Sequence, residues 1–206
     1  MSETPLARVD GISRRDALRR LALALVATGT VDRLAAQDVH RVAAETRAVS
    51  GGVYTPVALT AHQYRTLERL TDLIIPVENG APGALAAGAA AWIDTLAGAS
   101  DRLKLIYSDG LAWLDAEMRR RGAADFVSAS TAEQTALLDL VAYRRNRTPE
   151  LEPGIEFFSW ARRMTVDAFY TSEIGIKDID YRGNAAMAEY TVPTESIEYA
   201  LKRSGL

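Results

Sequence analysis

The chain has 206 residues, a formal net charge of −3, two histidines and no cysteine. Those counts exclude disulfides, thiolate metal sites, a Cys-x-x-Cys-His haem attachment and a lipidated N-terminal cysteine. Residues 1–36 hold six arginines against four carboxylates, and the remainder holds 18 basic against 23 acidic residues. A mildly acidic body argues against nucleic acid and anionic lipid as partners.

The first element is a leader. Ser13-Arg14-Arg15-Asp16-Ala17-Leu18 precedes an uncharged run of 11 residues from Leu21 to Val31. A basic region, a short apolar region and small residues, in that order, read as a signal peptide. The run is too short for a spanning helix, which needs about 20 residues. The pair Arg14 and Arg15 makes it a twin-arginine leader, read by a route that carries folded proteins. Ala17 stands where a phenylalanine is usual. A cleavage site is expected near Ala35 or Ala36, with Leu34 in place of the small residue preferred two positions before Ala36. The alternative reading is an amphipathic basic helix lying on a protein or membrane surface. Membrane contact is expected only through this leader or through a larger complex.

Residues 37–58, with Gly51, Gly52 and Pro56, show no strong period and read as a linker. A helical domain is predicted over 59–171. Thr60 to Gln63 has capping-box spacing. Tyr64, Leu67, Leu70, Thr71 and Ile74 then form a helical stripe that Pro76 stops. Asn79-Gly80 marks a turn. A second helix follows Pro82, with Leu85, Ala89, Trp92, Ile93 and Leu96 as its apolar face. A third runs from Asp101 to about Arg121, with basic residues at its end. Ser130 to Glu133 repeats the capping box and opens a helix with Leu137, Leu138 and Val141, which ends in the basic run Arg144, Arg145, Arg147. Beyond Pro149 and Pro153, a last helix places Phe157, Phe158, Ala161, Met164, Thr165, Ala168 and Phe169 toward the core. No stretch alternates at period two. The fold class is therefore all-α, a compact bundle of about five helices with antiparallel neighbours. Residues 172–206, punctuated by glycine and proline, read as an irregular tail lying extended over the body or over a partner.

No stretch carries a catalytic pattern. Glu68 and Asp72 lie one turn apart beside Arg65 and Arg69, an ordinary surface charge network. His40 and His62 fall in the linker and at a helix start, which suggests no metal pair. The catalytic, cofactor-binding and metal-binding sets are thus expected to be empty. The aromatic residues are more informative. Phe157 and Phe158 project about 100° apart on a helix and Trp160 falls on a third side. One reading is a helix central to the core. The other is a second apolar face docked on another protein, because large aromatics are favoured in interfaces. Phe157, Trp160, Tyr170 and Tyr181 are the candidate partner contacts.

Several segments together resemble a known family. They are Leu59-Thr60 with the helix to Ile75-Pro76, Pro82-Gly83-Ala84 leading to Trp92-Ile93-Asp94, and Phe126 followed by Ser130-Thr131-Ala132-Glu133-Gln134 and Leu137-Leu138. The closing set is Phe157-Phe158, Thr165, Phe169-Tyr170-Thr171-Ser172, Gly175 and Tyr181-Arg182-Gly183-Asn184. Their order and spacing resemble the gluconate 2-dehydrogenase subunit 3 family over about residues 59–190. The resemblance implies a non-catalytic small subunit of a periplasmic or membrane-bound sugar or polyol dehydrogenase. The large partner would be a flavoprotein of the glucose–methanol–choline type holding FAD, and a cytochrome c often takes the electrons. The small subunit would escort its leaderless partner, with Arg14 and Arg15 as export determinants. The rival readings are a self-sufficient periplasmic helical enzyme and a solitary periplasmic binding or scaffold protein.

Overall fold

The structure, a computed structural model, describes residues 33–49, 53–181 and 192–204. Arg14 and Arg15 lie outside the described residues. Among those residues the chain is all-helical, with eight α-helices and no strand.

The most apolar helix sets the centre. Helix α3, Ala89–Gly98, is buried at every position from Ala89 to Ala97. A helix apolar on all sides has no solvent face, so others must surround it. Four do: α1 (Arg33–Val49), α2 (Ala61–Ile74), α4 (Asp101–Arg120) and α6 (Glu152–Tyr170). Helix α6 also touches α5 (Thr131–Val141) and α7 (Glu173–Asp178). Helix α8, Thr194–Ser204, buries no residue of its own.

Both capping boxes form as expected, at Thr60 with Gln63 and at Ser130 with Glu133. Each ties the side chain of one residue to the backbone N–H of the other in both directions, satisfying helix-start donors that have no partner within the helix. Asn79-Gly80 is a tight turn with both φ values positive, closed by paired backbone hydrogen bonds between Glu78 and Ala81. All seven residues expected on the core face of α6 are buried.

Three expectations are corrected. The stretch read as a linker carries α1, whose residues Ala36, Val39 and Ala43 are buried against α3. Its apolar stripe is made of two alanines and one valine, too weak to register as a period. Leu85 is exposed, because residues 84–88 close hydrogen-bonded turns and α3 starts only at Ala89. The tail is not extended throughout: Ser172 caps α7 by accepting from the Gly175 N–H, and α8 follows further on.

A buried carboxylate fixes the chain ahead of α2. Asp94 is the one charged side chain in α3 and is fully buried. It accepts hydrogen bonds from the Tyr54 hydroxyl (2.8 Å) and from the N–H groups of Val57 (2.7 Å), Ala58 (3.2 Å) and Leu59 (2.9 Å). Burial pushes the Tyr54 hydroxyl well above its ordinary pKa, so it remains a donor.

Helix α1 is held by an imidazole. His40 Nε2 lies 3.1 Å from the Thr171 hydroxyl, and its ring centroid is 5.9 Å from that of Trp92. Burial lowers the His40 pKa to about 4. The folded state therefore holds His40 neutral where the unfolded chain, with the ordinary imidazole value of 6.5, already binds a proton. Stability from this group is complete above the unfolded value and is lost as pH falls toward the folded one. The expected loss is about 2 kcal/mol between pH 7 and pH 5. Chemical denaturation at both pH values should show it, and His40→Gln should remove most of the difference.

Candidate partner-binding surface

The surface that carries the aromatic residues is built where α4 crosses α6. Two glycines make the crossing close. A Cβ placed on Gly110 of α4 would overlap the Phe157 ring, and one placed on Gly154 of α6 would overlap the Trp113 indole. Each helix thus offers a gap that receives a ring of the other. Phe157 is only 4% exposed and meets Tyr107 edge-on, with centroids 5.7 Å apart. It is a core residue whose edge reaches a cleft, rather than part of a free apolar face.

Trp160 is placed differently. It is half-buried and forms a wall shared by two neighbouring cavities, each of about 300 Å³. The first is mainly apolar, formed by Ile106, Trp113, Phe157 and Trp160, with Asp109 and Glu156 also lining it. The second is polar, lined by Arg144, Arg147 and Ser159 together with Glu156. Arg102 stands over the Trp160 ring at 5.9 Å, and Arg145 over the Tyr143 ring at 4.5 Å. Arg147 pairs with Glu152 at 3.6 Å and with Glu156 at 3.9 Å. The arrangement is a flat indole with an oily recess on one side and a guanidinium-lined recess on the other.

The other two candidates lie elsewhere. Tyr170 ends α6 and is 40% exposed, with its ring edge-on to Phe169 at 5.0 Å. Tyr181 follows α7 and is 38% exposed. Phe157 and Trp160 therefore share one cleft, whereas Tyr170 and Tyr181 belong to the α7 end.

Sequence reasoning missed two parts of this surface. Trp113, at helical spacing with the apolar residues of α4, carries no interface signal in the sequence, yet it walls the apolar recess. Arg144 and Arg147 read from the sequence only as the basic run that ends a helix, yet they line the second recess. Arg144 and Arg147 lie within the connection between α5 and α6, which brings the basic run beside Trp160.

The remaining polar clusters are structural ties. Asp115 accepts from His62 Nε2 at 2.7 Å and from the Phe126 N–H at 3.0 Å, pinning α4 to α2 and to the segment before α5. Arg69 donates to Gln134 Oε1 and Thr131 Oγ1, both at 2.8 Å, and pairs with Asp72 at 3.0 Å. It joins α2 to the start of α5. Glu117 is buried and pairs with Arg120 and Arg121 at the end of α4. Among the described residues no group of three or more His, Cys, Asp or Glu side chains could hold a metal ion. No described helix is long and apolar enough to cross a membrane.

No curated protein and no solved structure matches the chain. The family described as Gluconate 2-dehydrogenase subunit 3 matches residues 61–187, from the first residue of α2 to beyond α7.

Proposed function

The chain belongs to the gluconate 2-dehydrogenase subunit 3 family, and from that membership we propose that it is the non-catalytic small subunit of a periplasmic, FAD-dependent carbohydrate or polyol dehydrogenase. The family is an accessory part of a dehydrogenase complex. In this reading the FAD and the substrate chemistry belong to a large flavoprotein subunit of the glucose–methanol–choline type, with a cytochrome c as electron acceptor where one is present. This chain stabilises the flavoprotein and carries it through twin-arginine export by way of Arg14 and Arg15.

The observation that supports a docking role is Trp160. A half-buried indole flanked by an apolar recess and an arginine-lined recess has the make-up of an interface anchor, where tryptophan and arginine concentrate binding energy. Leu105 on α4 and Tyr143 after α5 add exposed apolar area on the same two elements that carry Arg102 and Arg144.

The test is co-purification from the native host through a tag on this chain. A flavin-containing large subunit should accompany the wild-type chain. Trp160→Ala should lower the recovered flavin at least about tenfold, which corresponds to about 1.4 kcal/mol, with the helical circular dichroism unchanged. Arg14→Lys with Arg15→Lys should leave the complex intact and strand its dehydrogenase activity in the cytoplasm. Flavin recovery that is indifferent to Trp160 refutes the docking surface, and periplasmic activity in the double lysine variant refutes the escort role.

A further inference from the structure

Ala35 and Ala36 are the small residues at which the leader would be removed, yet the fold places the second of them in its interior. Helix α1 begins at Arg33 and so runs through the Ala36–Gln37 bond. Ala36 is fully buried, and its carbonyl accepts the indole N–H of Trp92 at 3.2 Å. Trp92 is fully buried in turn. One and two turns further on, Val39 and Ala43 continue the buried stripe, and His40 reaches Thr171 at the end of α6. The contact with Trp92 joins α1 to the central helix of the bundle.

A peptidase takes its substrate as an extended strand of about 3.3 Å per residue, against about 1.5 Å in a helix. Access to either bond therefore requires the first turns of α1 to leave Trp92 and unwind. The products would also fit badly. Hydrolysis adds water across the Ala36–Gln37 bond, leaving a carboxylate on Ala36 and an ammonium on Gln37. The carboxylate would form at a position without solvent, and the ammonium would sit at the positive end of the shortened helix.

We propose that folding closes the bonds after Ala35 and Ala36 to leader peptidase, and that Ala36 stays in the mature chain as the partner of Trp92. The inference rests on the export reading above, since a route for folded proteins puts the docking of α1 ahead of any cleavage. It deepens that reading by giving α1, which lies before the segment that the family matches, a role in leader retention.

The test compares the folded full chain with a peptide of residues 25–45, each incubated with leader peptidase in detergent micelles at neutral pH and followed by intact mass. The peptide should be cut after Ala35 or Ala36. The full chain should keep Ala36 at least about tenfold longer. Val39→Asp, which drives a charge into the α1 contact, should bring the cleavage rate toward that of the peptide while the rest of the bundle stays helical. A full chain cut as fast as the peptide overturns the proposal. So does a peptide as resistant as the full chain, because sequence rather than folding would then guard the bond. A Val39→Asp chain that remains protected overturns the role of α1 docking. The assay reads one bond and is indifferent to the export route, which the double lysine variant reports separately.

Discussion

Asp94→Ala is expected to lower stability by about 4 kcal/mol, the largest effect of any single change considered. The carboxylate is fully buried and accepts four hydrogen bonds, three from successive backbone amides and one from Tyr54. Removing it strands those donors, and each unsatisfied buried donor costs about 1–3 kcal/mol. The sum is limited because residues 53–59 can move out to water. That escape has its own signature: the segment should become an early site of limited proteolysis while α4 to α6 stay protected. Asp94→Asn tests the same point with almost no change in shape. Its amide can turn one oxygen to the backbone donors, but its NH₂ then faces N–H groups, so a loss of about 3 kcal/mol is expected. Urea denaturation checks both values, and a loss below about 1 kcal/mol for the alanine variant would contradict this account.

Gly110→Ala is expected to cost about 3 kcal/mol net. On helix propensity alone the change should stabilise by about 1 kcal/mol. The sign reverses because the new Cβ would fall within the Phe157 ring. Phe157 also meets Tyr107 edge-on, so shifting the ring disturbs that contact as well. Either α4 and α6 separate or the ring leaves its rotamer, and overpacking of this kind typically costs 1–3 kcal/mol and sometimes more. Phe157→Leu replaces the ring with a smaller group, so it should cost less in the Gly110→Ala background than in the wild type. The double-mutant cycle measures that coupling. Strict additivity would mean that the two positions do not meet.

The sequence showed the parts of the fold whose signals are local. Thr60 with Gln63 and Ser130 with Glu133 announce helix starts within four residues, and both form. The core face of α6 is a strong apolar period, and it is buried as expected. Helix α1 escaped notice because Ala36, Val39 and Ala43 offer little apolar area, and its docking depends on Trp92, far along the chain. Asp94 escaped for a related reason. One carboxylate in an apolar helix says that partners must exist, but nothing in its neighbours says that they come from residues 54–59. Of the candidate interface residues, Trp160 stands half-buried in the recess wall, while Phe157 shows only an edge there and is otherwise packed into the α4 crossing. A helical wheel of α6 alone shows that not all its aromatics fit one face. It does not show which of them meets Gly110.

The hydrogen bond from Trp92 to Ala36 spans 56 positions, and that from His40 to Thr171 spans 131. Closing such long loops is entropically dearer than winding a capped helix, and contacts of high sequence separation slow folding. The bundle from α2 to α6, by contrast, is assembled from elements that follow one another closely. The expected order of events is a rapid collapse of those helices around α3, followed by late arrival of α1. A nascent chain would thus keep α1 accessible until the rest of the molecule is in place, and its last folding step would be the one that withdraws α1 from reach.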